Sequence, residues 1–292
     1  MNDRIENAIN EIEKSLNKTE LNLSFLNLTT EDLIYILSIE KYKGFFESLR
    51  ELYLHFNKLS NLPENIFENL IKLEWLDLQN NNLSTLPEKI FDNLVKLKWL
   101  DLSYNNIEDL PENIFENLIK LELLKLNSNK LTNLPERIFD NLIKLKWLDL
   151  DKNKLANLPE RVFDKLINLE LLGLQNNNLS TLPEKILDNL VNLEDLGLLG
   201  NKLSSLPEKI LDNLVNLEWL SLSRNNLTNL PENIFEKLIN LEDLYLSNDN
   251  LSTLPENILD KLVNLEVLYL DKSNFTLPEK IKNKKGLQIY YY

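Results

Sequence analysis

Leucine recurs at residues 49, 73, 97, 121, 145, 169, 193, 217, 241 and 265, and every step is 24 residues. A fixed period of this size means that each stretch is one supersecondary unit, unable to bury its apolar side without a neighbour stacked on it. The first unit reads Leu49-x-x-Leu52-x-Leu54-x-x-Asn57-x-Leu59-x-x-Leu62-Pro63-x-x-Ile66-Phe67-x-x-Leu70, and the others keep its spacing until the last, which loses one residue before Leu277-Pro278. All ten prolines fall in the Leu-Pro slot.

The phrase L-x-x-L-x-L-x-x-N-x-L resembles the leucine-rich repeat, and the resemblance runs from residue 49 to about 289. The second half, Leu-Pro-Glu-x-Ile-Phe-x-x-Leu, is most similar to the 24-residue typical subclass of Toll-like receptors and variable lymphocyte receptors. The resemblance implies an α/β solenoid, a horseshoe with a parallel concave β-sheet and a convex side of turns and short helices. Those extracellular relatives close their ends with disulfides, whereas this chain has no cysteine. Their secreted context is therefore not carried over.

The unit's own chemistry agrees. Leu52 and Leu54 alternate with Tyr53, so residues 51–55 read as a short strand with the leucines inward. Leu59, Leu62, Ile66, Phe67 and Leu70 fill the layer behind. Asn at unit position nine (57, 81, 105, 129, 153, 177, 201, 225) is expected to form a ladder onto backbone groups, weakening where Asp249 and Ser273 replace it. The organisation expected is a single continuous domain: residues 1–48 as a cap and irregular first repeat, 49–277 as ten repeats, and 278–292 as a C-terminal cap.

Both ends look specialised. Ile5, Ile9, Ile12 and Leu16 have helical spacing and suggest an amphipathic capping helix. Glu20-Leu21-Asn22-Leu23-Ser24 repeats the strand phrase, and Thr29-Thr30-Glu31-Asp32 signals a helix reaching about Glu40. That longer opening unit resembles the ribonuclease-inhibitor-like variety of the repeat. Gly286-Leu287-Gln288-Ile289 predicts a last strand, with Tyr290, Tyr291 and Tyr292 covering the final core layer.

Composition narrows the function. There are 32 Lys and Arg against 46 Asp and Glu, a net charge of −14, which repels phosphate backbones and anionic lipid. Of the acids, 26 sit at three repeat positions, those of Glu64, Glu68 and Glu74, so most of the acidity belongs to the framework. No run of apolar residues is long enough to span a bilayer, and Met1-Asn2-Asp3-Arg4 does not lead into an apolar signal region. The expectation is a soluble chain with no Sec signal, cytoplasmic or delivered by a signal-less route. Without cysteine, and with a single histidine, the sequence offers no nucleophile with its base and no metal cluster. His55 lies at an outward strand position with no partner evident. The chain is read as a non-enzyme with no cofactor.

Function in such a fold resides in the outward strand positions. Position three reads Glu51, Trp75, Trp99, Leu123, Trp147, Leu171, Asp195, Trp219, Asp243 and Val267, and it holds all four tryptophans. With strands about 4.8 Å apart, the run from Trp75 to Leu171 predicts an apolar ridge roughly 19 Å long. Passive stacking of copied tryptophans is the competing reading. Position five carries Asp77, Asp101, Lys125 and Asp149, then Gly173 and Gly197, and finally Tyr245 and Tyr269; Tyr104 lies beside it at position eight. Aromatic faces next to carboxylates favour a protein or peptide partner with basic and apolar residues. Gly173, Gly197 and Gly200 predict a dent. The expected function is a protein-interaction scaffold, with no nucleic acid, no membrane insertion and a monomer favoured. A glycan or small-ligand binder and a self-associating structural repeat are the alternatives. Richness in Asn, Ile and Lys hints at an AT-biased genome and a bacterial host-interaction role.

Overall fold

Each repeat turns the chain the same way, because one asparagine holds the corner. The computed structural model describes residues 3–247, 250–271 and 276–291. Asp249, Ser273 and Tyr292 lie outside the described residues, and with them the expected fading of the ladder. The chain divides into two compact units, Met1–Leu145 and Lys146–Tyr292.

The first unit opens with α1 (Asp3–Ser15), β1 (Glu20–Asn22) and α2 (Thr30–Leu37). Thr29 caps α2 through a capping box, in which its hydroxyl accepts from the Asp32 N–H while the Asp32 carboxylate accepts from the Thr29 N–H. The helix stops at Leu37, short of Glu40; a 3₁₀ turn (Glu40–Tyr42) and a four-residue α3 (Lys43–Phe46) follow. In α1 the buried face is Ala8, Ile12 and Ser15, whereas Leu16 lies past the helix end and is exposed. The expected capping face is thus shifted.

Strands β2 (Glu51–Tyr53), β3 (Trp75–Asp77), β4 (Trp99–Asp101) and β5 (Leu123–Lys125) add to β1 in parallel, each position pairing with the same repeat position of its neighbour. They are three residues long, not five. Position eight turns the chain with positive φ (Phe56 53°, Asn80 56°, Tyr104 54°, Ser128 57°), ending the ladder just after the second inward leucine. Position-nine asparagine then takes over the backbone groups. The Asn105 amide donates to the carbonyls of Leu78, Leu102 and Ser103 at 3.0 to 3.1 Å, and its Oδ1 accepts from the Leu83 N–H at 3.0 Å.

Behind the strands, each Leu-Pro stretch runs as turns rather than helix, with bonds three residues apart such as Ile66 N–H to Pro63 O and Leu70 N–H to Phe67 O. One phenylalanine per repeat fills the layer between. Phe67, Phe91, Phe115 and Phe139 are buried and stack at 6.3 to 6.4 Å.

The second unit repeats the plan with β6 (Trp147–Asp149), β7 (Leu171–Gly173), β8 (Asp195–Gly197), β9 (Trp219–Ser221), β10 (Asp243–Tyr245), β11 (Val267–Leu270) and β12 (Gln288–Tyr291), all parallel, with a short α4 (Glu279–Lys282) before the last. A second asparagine series appears here at position 24. Asn192, Asn216, Asn240 and Asn264 donate to the carbonyls of Ile167, Val191, Val215 and Ile239 at 2.8 to 3.1 Å. The last strand forms two residues later than the predicted 286–289, and Gln288 pairs with Val267, so Tyr290 falls opposite Tyr269 on the outward face. There it stacks on Tyr269 at 5.0 Å instead of covering the core, and Tyr290 and Tyr291 stay exposed.

Candidate functional site

The outward residues of the first unit pair off among themselves. Trp75 and Trp99, opposite one another on β3 and β4, stack with centroids 3.4 Å apart and are half-buried, with Leu123 next in register. Lys125 reaches over the Trp99 ring at 5.3 Å, and its ammonium stands 3.9 Å from Asp101. Asp77 and Asp101 are less available than their sequence position implies. Each carboxylate accepts the N–H two residues on, Gln79 at 3.0 Å and Ser103 at 2.9 Å, pinning the turn after the strand. Asp101 is buried, which pushes its carboxyl above the usual range despite the Ser103 bonds.

His55 has the partner that the sequence did not reveal. Its Nδ1 lies 2.8 Å from Asp77 Oδ2, close enough to pair but off the line of an aligned hydrogen bond. Its ring meets Phe25 and Phe56 edge-on. These two phenylalanines stack at 4.6 Å, and both hold the positive φ that bulky side chains rarely adopt (60° and 53°). They are 63% and 42% exposed, and with Tyr104 at 46% they put aromatic rings on the position-eight corner. The sequence signal was there, since Phe56 and Tyr104 are the aromatic members of a column otherwise held by Asn80, Ser128, Lys152, Asn176, Gly200 and Arg224.

The second unit is built differently. Trp147 on β6 is exposed at 40%, Leu171 follows it on β7, and Asp195 then interrupts the apolar run before Trp219 on β9. Trp219, Tyr245, Tyr269 and Tyr290 form an aromatic series at 5.3, 4.3 and 5.0 Å, half-buried as far as Tyr269 and exposed at Tyr290. Between Trp147 and Trp219 opens a pocket of about 320 Å³, whose lining includes both indoles, Leu171, Asp149, Asp151, Gln175, Asp195 and the two glycines Gly173 and Gly197. The dent expected from the glycines is therefore present, and its origin is specific. A Cβ on Gly173 would stand 2.8 Å from Asp151 Oδ1, and one on Gly197 would stand 2.8 Å from Gln175 Cγ. The missing side chains let Asp151 and Gln175 fold across the neighbouring strand. Gly200 at φ +71° belongs to the corner column.

The pocket strains its carboxylates. Asp149 accepts the Asp151 N–H at 3.0 Å, and Asp151 accepts the Gln175 N–H at 2.6 Å and the Gln175 side-chain amide at 3.1 Å. Burial, with the Asp149 charge beside it, pushes the Asp151 carboxyl up to about 7, against the Gln175 bonds and the Lys152 charge. Burial likewise raises Asp195, helped by Glu194 and Glu218. Because the folded value lies above the ordinary 3.8, Asp151 destabilises the fold fully above pH 7, and the penalty fades as pH falls toward 4. Asp151→Asn is expected to stabilise by about 1 to 2 kcal/mol at pH 8, after allowing for solvent screening, and by less than half of that at pH 5. Urea unfolding at both pH values checks this; a gain that does not change with pH contradicts it.

Among the described residues no group of three or more His, Asp or Glu side chains is placed to hold a metal, and no helix is long and apolar enough to cross a membrane.

Repeat spacing, inward leucines and the asparagine ladder together define the class, and the chain belongs to the leucine-rich repeat family, whose model matches residues 47–107, 95–155, 143–203 and 215–275. Its likenesses among solved structures fall in the same class. A leucine-rich repeat protein of Leptospira interrogans is 30% identical, with a TM-score of 0.72 over 97% of this chain and 86% of that one. A chain of the Drosophila Toll–Spätzle complex is also 30% identical, with a TM-score of 0.75 over 85% of this chain, which spans only 34% of its length. A chain of the TLR13–ssRNA13 complex is 25% identical, with a TM-score of 0.78 over 98% of this chain and 45% of that one. No curated protein sequence matches.

Proposed function

We propose that the protein is a non-enzymatic interaction scaffold that binds a protein or peptide partner on the outward face of its strands, anchored on β6 to β9. The pocket between Trp147 and Trp219 carries this reading, because one exposed and one half-buried indole around a concave opening with a few polar groups are the anchors interfaces use. In the first unit Trp75 and Trp99 cover one another by stacking, so they offer less free ring surface. Tyr245 and Tyr269 extend the aromatic surface, while Asp77, Asp101 and Asp149 hold turns and supply negative potential. The Toll–Spätzle complex supports a protein partner on this fold. The TLR13–ssRNA13 complex shows that a related chain meets RNA, yet here the carboxylates along the strands disfavour a polyanion. The Leptospira likeness supports a bacterial setting.

The test begins with affinity capture from candidate host and own-cell lysates, followed by measured affinities for the partner identified. Trp147→Ala and Trp219→Ala are each expected to weaken binding tenfold or more, about 1.4 kcal/mol, with circular dichroism unchanged. Unchanged affinity in both variants would sink the reading. The pocket's size and flat walls also suit a sugar ring, and saturable binding on a glycan array, lost with Trp147→Ala, would favour that alternative. Light scattering over a concentration series tests self-association.

A further inference from the structure

The second unit's pocket is more selective than a general aromatic surface. Its floor is two glycines whose absent side chains make room for Asp151 and Gln175, so the opening and its charge arise from one device. Three carboxylates, Asp149, Asp151 and Asp195, line it, with no basic residue among its lining. Asp149 and Asp151 both reach the space above Gly173 while Asp195 stands two strands away from Asp149, and no metal-holding cluster of three exists among the described residues. That geometry suits a flat, delocalised cation with several donors better than a metal ion. The walls are indoles, on which a guanidinium stacks and an ammonium does so less well. Next in register to Gly197, Ser221 is 1% exposed with its hydroxyl unpartnered.

We propose that this pocket receives one arginine side chain of the partner, its guanidinium set in the opening bounded by Trp147 and Trp219 and drawn there by Asp149, Asp151 and Asp195. This rests on the outward-face reading above and names the residue which that face selects. Burial holds Asp151 and Asp195 above the ordinary carboxylate range, so an entering cation relieves an existing penalty. An extended segment running over β6 to β9 crosses roughly 14 Å, long enough to lay apolar neighbours on Leu171 and the indoles.

The full-length, ¹⁵N-labelled protein has four indole N–H signals, assignable by single Trp→Phe variants. These are followed while N-acetyl-argininamide, N-acetyl-lysinamide or N-acetyl-norleucinamide is added. The arginine probe is expected to shift the Trp147 and Trp219 signals saturably, to leave Trp75 and Trp99 in place, and to bind at least fivefold more weakly to Asp195→Asn. The lysine probe is expected to bind several-fold more weakly than arginine. Equal shifts from norleucinamide, no saturation up to roughly 50 mM, tighter binding of a sugar panel, or indifference to Asp195→Asn would each overturn the proposal. The captured partner separates the two readings. Binding that survives Asp195→Asn but fails with Trp147→Ala keeps the outward-face reading and rejects the arginine site; binding indifferent to both rejects the face itself.

Discussion

Truncating Asn105 to alanine is expected to lower the stability of the first unit by about 3 kcal/mol, read as a fall in the urea midpoint. The side chain is buried and makes four bonds to backbone. Not all of them are lost equally. The Leu78 carbonyl also accepts from Asn81, and the Leu102 carbonyl also accepts from Asn129, so each keeps one partner after truncation. The Leu83 N–H donates to Asn105 Oδ1, and stranding it accounts for about half of the loss. Asn105→Asp keeps the acceptor but sets a carboxylate against carbonyls, so it is expected to be as harmful as alanine at neutral pH. Asn106→Ala, one residue on and outside the ladder, is expected to stay within 0.5 kcal/mol of wild type. Equal effects at 105 and 106 would show that the ladder is not what holds the corner.

That ladder was legible because it repeats: an asparagine at the same position in eight successive repeats has no plausible role except a shared one. The features that escaped the sequence depend on where side chains go once the repeats are stacked. Position-five aspartates look like a charged strip in a column, yet each is bonded to the N–H two residues on. The Asx-turn habit of Asp could have suggested this. The second asparagine series was visible as the change from Lys72, Lys96, Lys120 and Lys144 to Asn at the same position from 168 onward. His55 and Asp77 stand 22 residues apart and meet only because adjacent strands align in register. At the pocket, glycines at 173 and 197 announced missing bulk, but not that Asp151 and Gln175 would bend into it. Tyr290 departs from expectation for a simpler reason: alternation along β12 is set by its pairing with β11, and one residue of register decides inward from outward.

Phe115→Ala is expected to be the most damaging single change in the first unit, about 4 kcal/mol. The ring is 1% exposed and lies between Phe91 at 6.3 Å and Phe139 at 6.4 Å, so truncation opens a void faced by aromatic rings rather than by mobile aliphatic ends. Rings held in a stack cannot fold inward to fill it, and a site that cannot collapse retains the full cavity term. The chain supplies its own control. In the second unit the same repeat position is leucine at 187 and 211, both buried, beside phenylalanine at 163 and 235. The layer therefore accepts a branched aliphatic of smaller volume, and Phe115→Leu is expected to lose only about 1 kcal/mol. Because a repeat protein's stability is a sum of local terms and neighbour interfaces, hydrogen exchange should rise first at residues 91–139 in the alanine variant, while the outward indole signals of Trp147 and Trp219 stay unmoved. Loss of protection spread evenly from α1 to β12 would mean that the units unfold together, and the local reading of this layer would fall with it.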